Sequence, residues 1–180
     1  MNFSTIFEED QLFTSYSTLR ERIAVRGIIL INGRILLVQS NRGDYKFPGG
    51  GVEEAESHEE ALIREIREET GYKHAMVISK AGIVIERGHD ENNEGALFQM
   101  TSHYYFCDLV NEEKTFQQLE DYEVELEFTP KWITLEEAIQ QNERLIAQFQ
   151  ENSWLRRETF VLNEIKRASI GAHRYVPRHL

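Results

Sequence analysis

Two runs of mostly apolar residues near the start of the chain are separated by an Asn-Gly pair, Asn32-Gly33. Residues 23–31 read IAVRGIILI and residues 34–40 read RILLVQS. An Asn-Gly pair between such runs favours the type I′ turn of a β-hairpin. The first run is apolar on both faces, which predicts a strand that is covered on both sides. Arg26 interrupts this run, and it either pairs with an acidic residue or projects into a cleft to meet a substrate.

A helix is predicted from about Ser57 to Thr70. Ser57 and Glu60 form a capping box, in which a hydroxyl and a carboxylate satisfy the free amides at a helix start. Gly71 is suited to the left-handed conformation that ends many helices.

One face of this predicted helix is acidic. At about 100° per residue, three carboxylates fall within one arc of about 100°, while two arginines point elsewhere. Like charges three and four residues apart repel each other, so we expect a cation to lie over them. Oxygen ligands favour Mg²⁺ or Mn²⁺ over zinc, and the six histidines show no ligand-like spacing. The carboxylates are Glu65, Glu68 and Glu69, and the arginines are Arg64 and Arg67.

A glycine-rich loop, residues 47–51, precedes the helix and reads FPGGG. Glycine has no Cβ, so its backbone carbonyls are open to close approach by a ligand. The loop and the acidic helix together predict a metal cradle. Tyr45 or Phe47 either lies beside a nucleobase or packs on the scaffold of the protein itself.

The rest of the chain contains further strands and helices. Two long strands joined by a polar loop follow the acidic helix, then a strand-like stretch with alternating glutamates, and then a helix that opens on a second capping box, Thr134 with Glu137. A further helix follows, and the last residues form a tail. The predicted ranges are 75–87 and 96–110 for the strands, 88–95 for the loop, 123–133 for the strand-like stretch, 135–149 and 153–168 for the helices, and 169–180 for the tail.

Length and charge limit the classes of function. The 180 residues suit one domain, which we assign to residues 22–168. Residues 1–21 form an N-terminal extension that packs as a short strand or helix, and residues 169–180 form a flexible tail. A net charge of -11 argues against binding of nucleic-acid polymers and of phospholipid membranes, but divalent ions can bridge such a chain to a small phosphorylated molecule.

Cys107 is the single cysteine, which excludes an internal disulfide and fits a reducing compartment. We interpret it as a small buried residue rather than a nucleophile. The apolar runs are too short to span a bilayer, and the first residues carry acids where a signal peptide needs bases. These features predict a cytoplasmic protein.

One segment carries a specific family resemblance. Read from Gly50, it has five residues, Glu56, seven residues and then REIREETGY over residues 64–72. This resembles the Nudix signature of MutT-like proteins, with every fixed position filled. The resemblance implies an α/β (α+β) fold, the Nudix α/β/α sandwich in which helices flank a mixed β-sheet. It also implies a hydrolase.

The resemblance assigns roles to particular residues. It implies metal ligands in the loop and helix, a general base among the glutamates, an arginine that orients them, and an additional ligand or base before Trp132. The implied metal ligands are Gly50, Glu65, Glu68 and Glu69, and the implied catalytic residues are Glu65, as the first choice of base, Glu68 and Arg64. The additional acids are Glu56, Glu125 and Glu127, of which the last two rank above Glu123. The substrate-binding candidates are Arg26, Phe47, Gly50 and Gly51.

The implied function is Mg²⁺-dependent hydrolysis of a diphosphate bond in a nucleoside triphosphate or another nucleoside diphosphate derivative, by attack of water on phosphorus. One alternative is a non-nucleotide diphosphate substrate, such as a phosphosugar or an isoprenoid diphosphate. Another is a ligand-binding or regulatory module that has kept the fold and lost the chemistry, although intact glutamates argue against it. A homodimer is left open.

Overall fold

The computed structural model describes residues 1–9, 18–90, 93, 95–148 and 153–173. Eight strands and four helices lie in this part of the chain. In chain order they are β1 (Phe3–Glu8), β2 (Thr18–Ile28), β3 (Leu30–Ile31), β4 (Arg34–Gln39), β5 (Tyr45–Lys46), α1 (His58–Thr70), β6 (Ala75–His89), β7 (Ala96–Leu109), α2 (Asp121–Glu125), β8 (Thr129–Ile133), α3 (Leu135–Gln148) and α4 (Ser153–His173).

The strands form two sheets. In the first, with order β1-β6-β7-β2, the central strands β6 and β7 are antiparallel, whereas β1 and β2 run parallel to their neighbours. In the second, β4 lies between β3 and β5 and also pairs with β8, always antiparallel. The predicted mixed sheet is therefore confirmed.

Helices cover both sides of the strands. Adjacent residues of β4 face different cores: Ile35 and Leu37 pack in the cluster with α3 and α4, whereas Leu36 packs with α1. Residues 24–29 are all buried, as predicted for a strand covered on both faces, whereas Ile23, Leu30 and Ile31 at the ends of the predicted run are exposed. The fold is the α/β/α sandwich that the sequence predicted.

Local signals placed several turns and helix ends correctly. Asn32 and Gly33 have φ values of 52° and 76°, as the predicted type I′ turn requires. Ser57 and Glu60 form the reciprocal capping box of α1, and Gly71 ends the helix with φ 79°. The second capping box, before α3, is also present.

Some predicted boundaries differ from the structure. The run over residues 23–31 is divided after Ile28 between two sheets, and residues 3–8 of the predicted extension form a strand of the first sheet. Helix α4 continues five residues past its predicted end, to His173; residues 174–180 lie outside the described part of the chain. In that described part, no helix is long and apolar enough to cross a membrane.

The predicted strand over residues 123–133 is wrong in its first half. Residues 121–125 form the short helix α2, and the Glu123 carboxylate caps its start by accepting from the Glu120 amide at 3.0 Å. Glu127 has a φ of 52°, which interrupts an extended backbone, so only residues 129–133 form a strand.

Neighbouring residues of β7 lie on opposite faces of the first sheet. Tyr104 is fully buried in the core on the side of α3 and α4. On the side of α1, the His103 ring lies 4.6 Å from the His58 ring, and the Tyr105 hydroxyl lies 2.8 Å from His58 Nδ1. Cys107 is buried there too, and burial raises the pKa of its thiol to about 12, which fits the predicted structural role.

The imidazole of His103 predicts a pH dependence of stability. Burial lowers its pKa from 6.5 to about 4, and the nearby charges of Lys80 and His58 act in the same direction. His103 therefore binds a proton more readily in the unfolded chain, so its contribution to the free energy of unfolding is fully present above about pH 6.5 and is lost toward about pH 4. We expect His103→Gln to weaken this acid-dependent loss, measured by urea denaturation at about pH 7 and about pH 5. The exposed His74→Gln is the control, and equal pH slopes for wild type and His103→Gln would contradict the prediction.

Strand β1 predicts a second stability effect. Phe3 is 6% exposed, and its ring lies 5.6 Å from the Tyr104 ring and 6.1 Å from the Phe160 ring. Removing it leaves a cavity, so we expect Phe3→Ala to lower the free energy of unfolding by about 3–5 kcal/mol. Ile6→Ala, on the same strand but 48% exposed, is the matched control. A loss no larger than that of the control would show that β1 contributes little to the fold.

Candidate functional site

The glycine loop is attached along its length to β2. The Val25 amide donates to the Gly50 carbonyl at 2.9 Å, and the Gly27 amide donates to the Pro48 carbonyl at 2.8 Å. Helix α1 packs closely on the same strand, because a Cβ at Gly27 would lie only 3.0 Å from Ile66 Cδ1. Strand β2 therefore sets the separation between the loop and α1.

The carboxylate of Glu65 stands directly over Gly50. A Cβ at Gly50 would lie 2.5–2.6 Å from the atoms of this carboxylate, so any larger residue there would displace the Glu65 carboxylate from its position. Glu65 is 8% exposed, and burial raises its pKa, although the nearby charges of Arg64 and Arg26 oppose the shift. A buried carboxylate thus lies against the backbone of the glycine loop.

Arg64 connects the acidic residues. Its Nε and Nη2 donate to the two carboxylate oxygens of Glu56 at 2.8 and 2.9 Å, and its Nη1 donates to Glu65 at 2.8 Å and to Glu68 at 3.1 Å. Its Nη2 also donates to the Gly51 carbonyl at 3.1 Å. The expectation that Arg64 points away from the acidic face was wrong, because the long side chain folds back. Arginine hydrogen bonds lower the pKa of Glu56.

Glu69 is fully buried beneath the loop. Its Oε1 accepts from Lys46 Nζ at 2.6 Å, and its Oε2 accepts from the Gly49 amide at 2.7 Å. Burial raises the pKa of this carboxyl to about 7, with Lys46 opposing the shift. Sequence reasoning missed Lys46, yet a signal was present: three clustered carboxylates demanded a cation, and this lysine directly precedes Phe47.

Arg26 supports the loop rather than an acidic partner. It is 8% exposed, and its Nη1 donates to the Gly49 carbonyl. Its buried Nε has no hydrogen-bond partner in the described part of the chain. The sequence left two partners open for Arg26, an acidic residue and a substrate in a cleft. The structure adds a third partner, a carbonyl of the glycine loop.

The two aromatic residues before the glycines face the core. Phe47 has no exposed surface, and its ring centroid lies 5.4 Å from that of Tyr104. Tyr45 is 9% exposed and belongs to the same core cluster. The expectation that Phe47 contacts substrate is therefore wrong in this structure. Burial of the apolar ring in the core is more favourable than its exposure to water.

The ranking of the acids before Trp132 is also corrected. Glu125 and Glu127 are exposed, whereas Glu123 is 3% exposed. The charge of Glu123 raises the pKa values of both Glu65 and Glu69, so it faces the helix glutamates. Alternating glutamates suggested a strand with one common face, but a helical turn separates them. The spacing of Glu120 and Glu123, which suits a cap, was the missed signal.

Arg22 was also missed by sequence reasoning. Its guanidinium occupies the space over Gly51, with Nη2 and Nε at 3.1 and 3.3 Å from the position of a Cβ there. Arg22 and Arg26 are four residues apart on β2 and so share a face of the strand. Two arginines on one face beside a glycine loop were the available signal.

The site residues offer only oxygen ligands, the chemistry that suits Mg²⁺. Within the described ranges, however, no group of three or more His, Cys, Asp or Glu side chains is arranged to hold a metal ion. The contacts explain this, because Arg64 and Lys46 already pair with the helix glutamates. The Gly50 carbonyl accepts from Val25 but keeps a second lone pair.

Comparison with known proteins gives partial relatives. A 57-residue segment is 46% identical to a protein named ADP-ribose pyrophosphatase from Methanocaldococcus jannaschii and covers 29% of this chain and 34% of that one. A 44-residue segment is 48% identical to YtkD of Bacillus subtilis, named provisionally as an 8-oxo-dGTP diphosphatase, and covers 24% and 28% of the two chains. The chain thus spans about a third or less of the length of these curated relatives.

A solved structure shows the same fold over most of the chain. The NUDIX hydrolase from Nitrosomonas europaea is similar with a TM-score of 0.51 and 18% identity, covering 83% of this chain and 90% of that one. The family model described as the NUDIX domain matches residues 21–155, from β2 into α4. With its signature residues assembled around the glycine loop, this chain belongs to the NUDIX domain family.

Proposed function

We propose that this chain is a Mg²⁺-dependent hydrolase that cleaves a diphosphate bond in a nucleoside triphosphate or another nucleoside diphosphate derivative. The observation that carries the proposal is the placement of Glu65 over Gly50, with Arg64 joining Glu65, Glu68 and Glu56. The names of the two partial relatives, a pyrophosphatase and a diphosphatase of nucleotide derivatives, support the same bond.

The residues that would hold Mg²⁺ are Gly50, through its carbonyl, and Glu65, Glu68 and Glu69. A bound Mg²⁺ ion offsets the charge of a diphosphate and lowers the pKa of a water. Glu69 has no exposed surface and already accepts from Lys46 and Gly49, so its use as a ligand requires Lys46 to move or to share an oxygen.

Glu65 is the proposed general base. Burial raises its pKa, and a carboxylate with a raised pKa takes a proton from water more effectively. The hydrogen bond from Arg64 fixes the direction of its oxygens. Glu123 is the second candidate, because it is buried and faces the same carboxylates.

Two arginines have separate proposed roles. Arg26 holds the Gly49 carbonyl from beneath the loop. Arg22 is exposed with its guanidinium over Gly51, so it is placed to bind an oxygen of a substrate phosphate.

Substitution of the proposed base tests the assignment. We expect Glu65→Gln to lower kcat by at least about 100-fold, since an amide cannot accept the proton of the attacking water. The fold should be retained, because the amide oxygen still accepts from Arg64, and thermal denaturation checks this. Glu59→Gln, an exposed acid in the first turn of the same helix, is the matched control. Full activity of Glu65→Gln with Mg²⁺ would overturn the assignment.

Substitution of Arg22 tests phosphate binding. Loss of a charge-assisted hydrogen bond should raise KM by about 10-fold with little change in kcat for Arg22→Ala. Steady-state kinetics with varied substrate measures both constants, and Arg144→Ala on the exposed surface of α3 is the control. An unchanged KM would remove Arg22 from the substrate site.

One screen tests the function as a whole. ADP-ribose, 8-oxo-dGTP, other nucleoside triphosphates, nucleotide sugars, dinucleotides and non-nucleotide diphosphates are incubated with Mg²⁺ or with EDTA, at mildly alkaline pH, and released phosphates are identified. Reaction in ¹⁸O-labelled water then shows which phosphorus is attacked. We expect Mg²⁺-dependent release from a nucleotide derivative. Turnover limited to non-nucleotides would change the substrate class, and no turnover at all would favour a silent binding module.

A further inference from the structure

A carboxylate that the proposed chemistry does not use lies buried in α4. Glu158 has no exposed surface. Its Oε2 accepts from the Phe47 amide at 2.7 Å, and its Oε1 accepts from Arg157 Nε at 2.9 Å and from the Tyr104 hydroxyl at 3.3 Å. Arg157 also pairs with Glu86.

Burying such a cluster of charged side chains is costly. Desolvation offsets much of the attraction between buried ions, and apolar residues of similar volume often serve stability as well. A buried amide without an acceptor is also costly, and the Phe47 amide lies just past the end of β5. Glu158 therefore has a specific local task, since one of its two oxygens is devoted to the first residue of the glycine loop.

Helix α3 holds the preceding residues in the same manner. Asn142 is fully buried; its Oδ1 accepts from the Tyr45 amide, and its Nδ2 donates to the Tyr45 carbonyl, both at 2.9 Å. The backbone of residues 45–47 is thus fixed by side chains of both C-terminal helices. Two residues later, Gly49 contacts Glu69 and Arg26.

We propose that Glu158 is a positioning residue that fixes the glycine loop through the Phe47 amide, and so sets the Gly50 carbonyl against Glu65. The inference deepens the proposed function, on which the role of Gly50 and Glu65 rests. Glu158 touches no reacting atom. Its effect passes along the backbone from residue 47 to residue 50.

An isosteric substitution separates this role from packing. Phe47 and Arg157 donate to different oxygens of the Glu158 carboxylate, whereas the amide of Gln has one oxygen and one donor nitrogen, so Glu158→Gln cannot keep both hydrogen bonds in this geometry. Glu86→Gln is the matched control, because it removes a charge from the same cluster of ion pairs without touching the loop. Glu158→Asp is the second variant, since it keeps the charge near Arg157 but withdraws the acceptor from Phe47.

The experiment uses the full chain and measures three quantities. They are hydrogen exchange of the Phe47 amide by NMR, the Mg²⁺ concentration that gives half-maximal rate, and kcat. For Glu158→Gln we expect Phe47 exchange to accelerate by more than about 10-fold, and activity or metal affinity to fall by about 10- to 100-fold. Glu86→Gln should change neither the exchange nor the Mg²⁺ midpoint.

The outcomes are distinguishable. Unchanged Phe47 exchange and kinetics in Glu158→Gln would overturn the inference, and so would equal effects in Glu86→Gln. If Glu158→Gln does not fold, Glu158→Asp decides by the same measurements. If the wild-type protein turns over no substrate, the proposed function fails, while Phe47 exchange still tests whether Glu158 fixes the loop.

Discussion

The Glu69 carboxylate has no solvent exposure, and its two oxygens tie the last turn of α1 to the glycine loop through Lys46 and the Gly49 amide. A buried carboxylate without partners would be strongly destabilising, so the loop and the helix have to come together at this point. Once they do, Glu65 falls over Gly50 and Arg64 reaches the Gly51 carbonyl. The geometry of the site therefore depends on one buried ion pair and one backbone amide.

The loop is held from every side of the sandwich. Strand β2 binds its carbonyls, α1 binds the Gly49 amide, and the C-terminal helices bind the backbone of residues 45–47. Each attachment is a hydrogen bond from a rigid element, the arrangement that keeps a reactive constellation within a narrow range of geometries. A buried polar group without partners would weaken the core. In this protein buried polar groups are concentrated around the glycine loop, where their hydrogen bonds fix its shape.

The sequence predicted most of the fold because its signals there were local. Capping boxes fixed the starts of α1 and α3, and the Asn32-Gly33 pair fixed a turn. The acidic face of α1 was predicted from helical spacing, and the need for a cation followed from repulsion. What spacing cannot give is the direction of a side chain in a loop, which is decided by contacts with distant elements.

Three residues illustrate this limit. Phe47 turns inward because Tyr104 and Glu158, far along the chain, receive its ring and its amide. Glu123 was ranked below Glu125 and Glu127, and the alternation of glutamates over residues 123–127 does not show which of the three carboxylates the fold buries. The clustered carboxylates called for a cation, but only the fold shows that Lys46 is the one that reaches Glu69.

The topology of the first sheet has a consequence for how the protein assembles. Strands β6 and β7 are joined by a short connection, whereas β1 and β2 pair with strands that come much later in the chain. Closing a long loop costs more entropy, so we expect the central hairpin to form early and the outer strands to be added later. Strand β2 carries the backbone partners of the glycine loop, so the site is completed in the last steps of folding. A chain caught midway would have the central hairpin but not yet the glycine loop packed against α1.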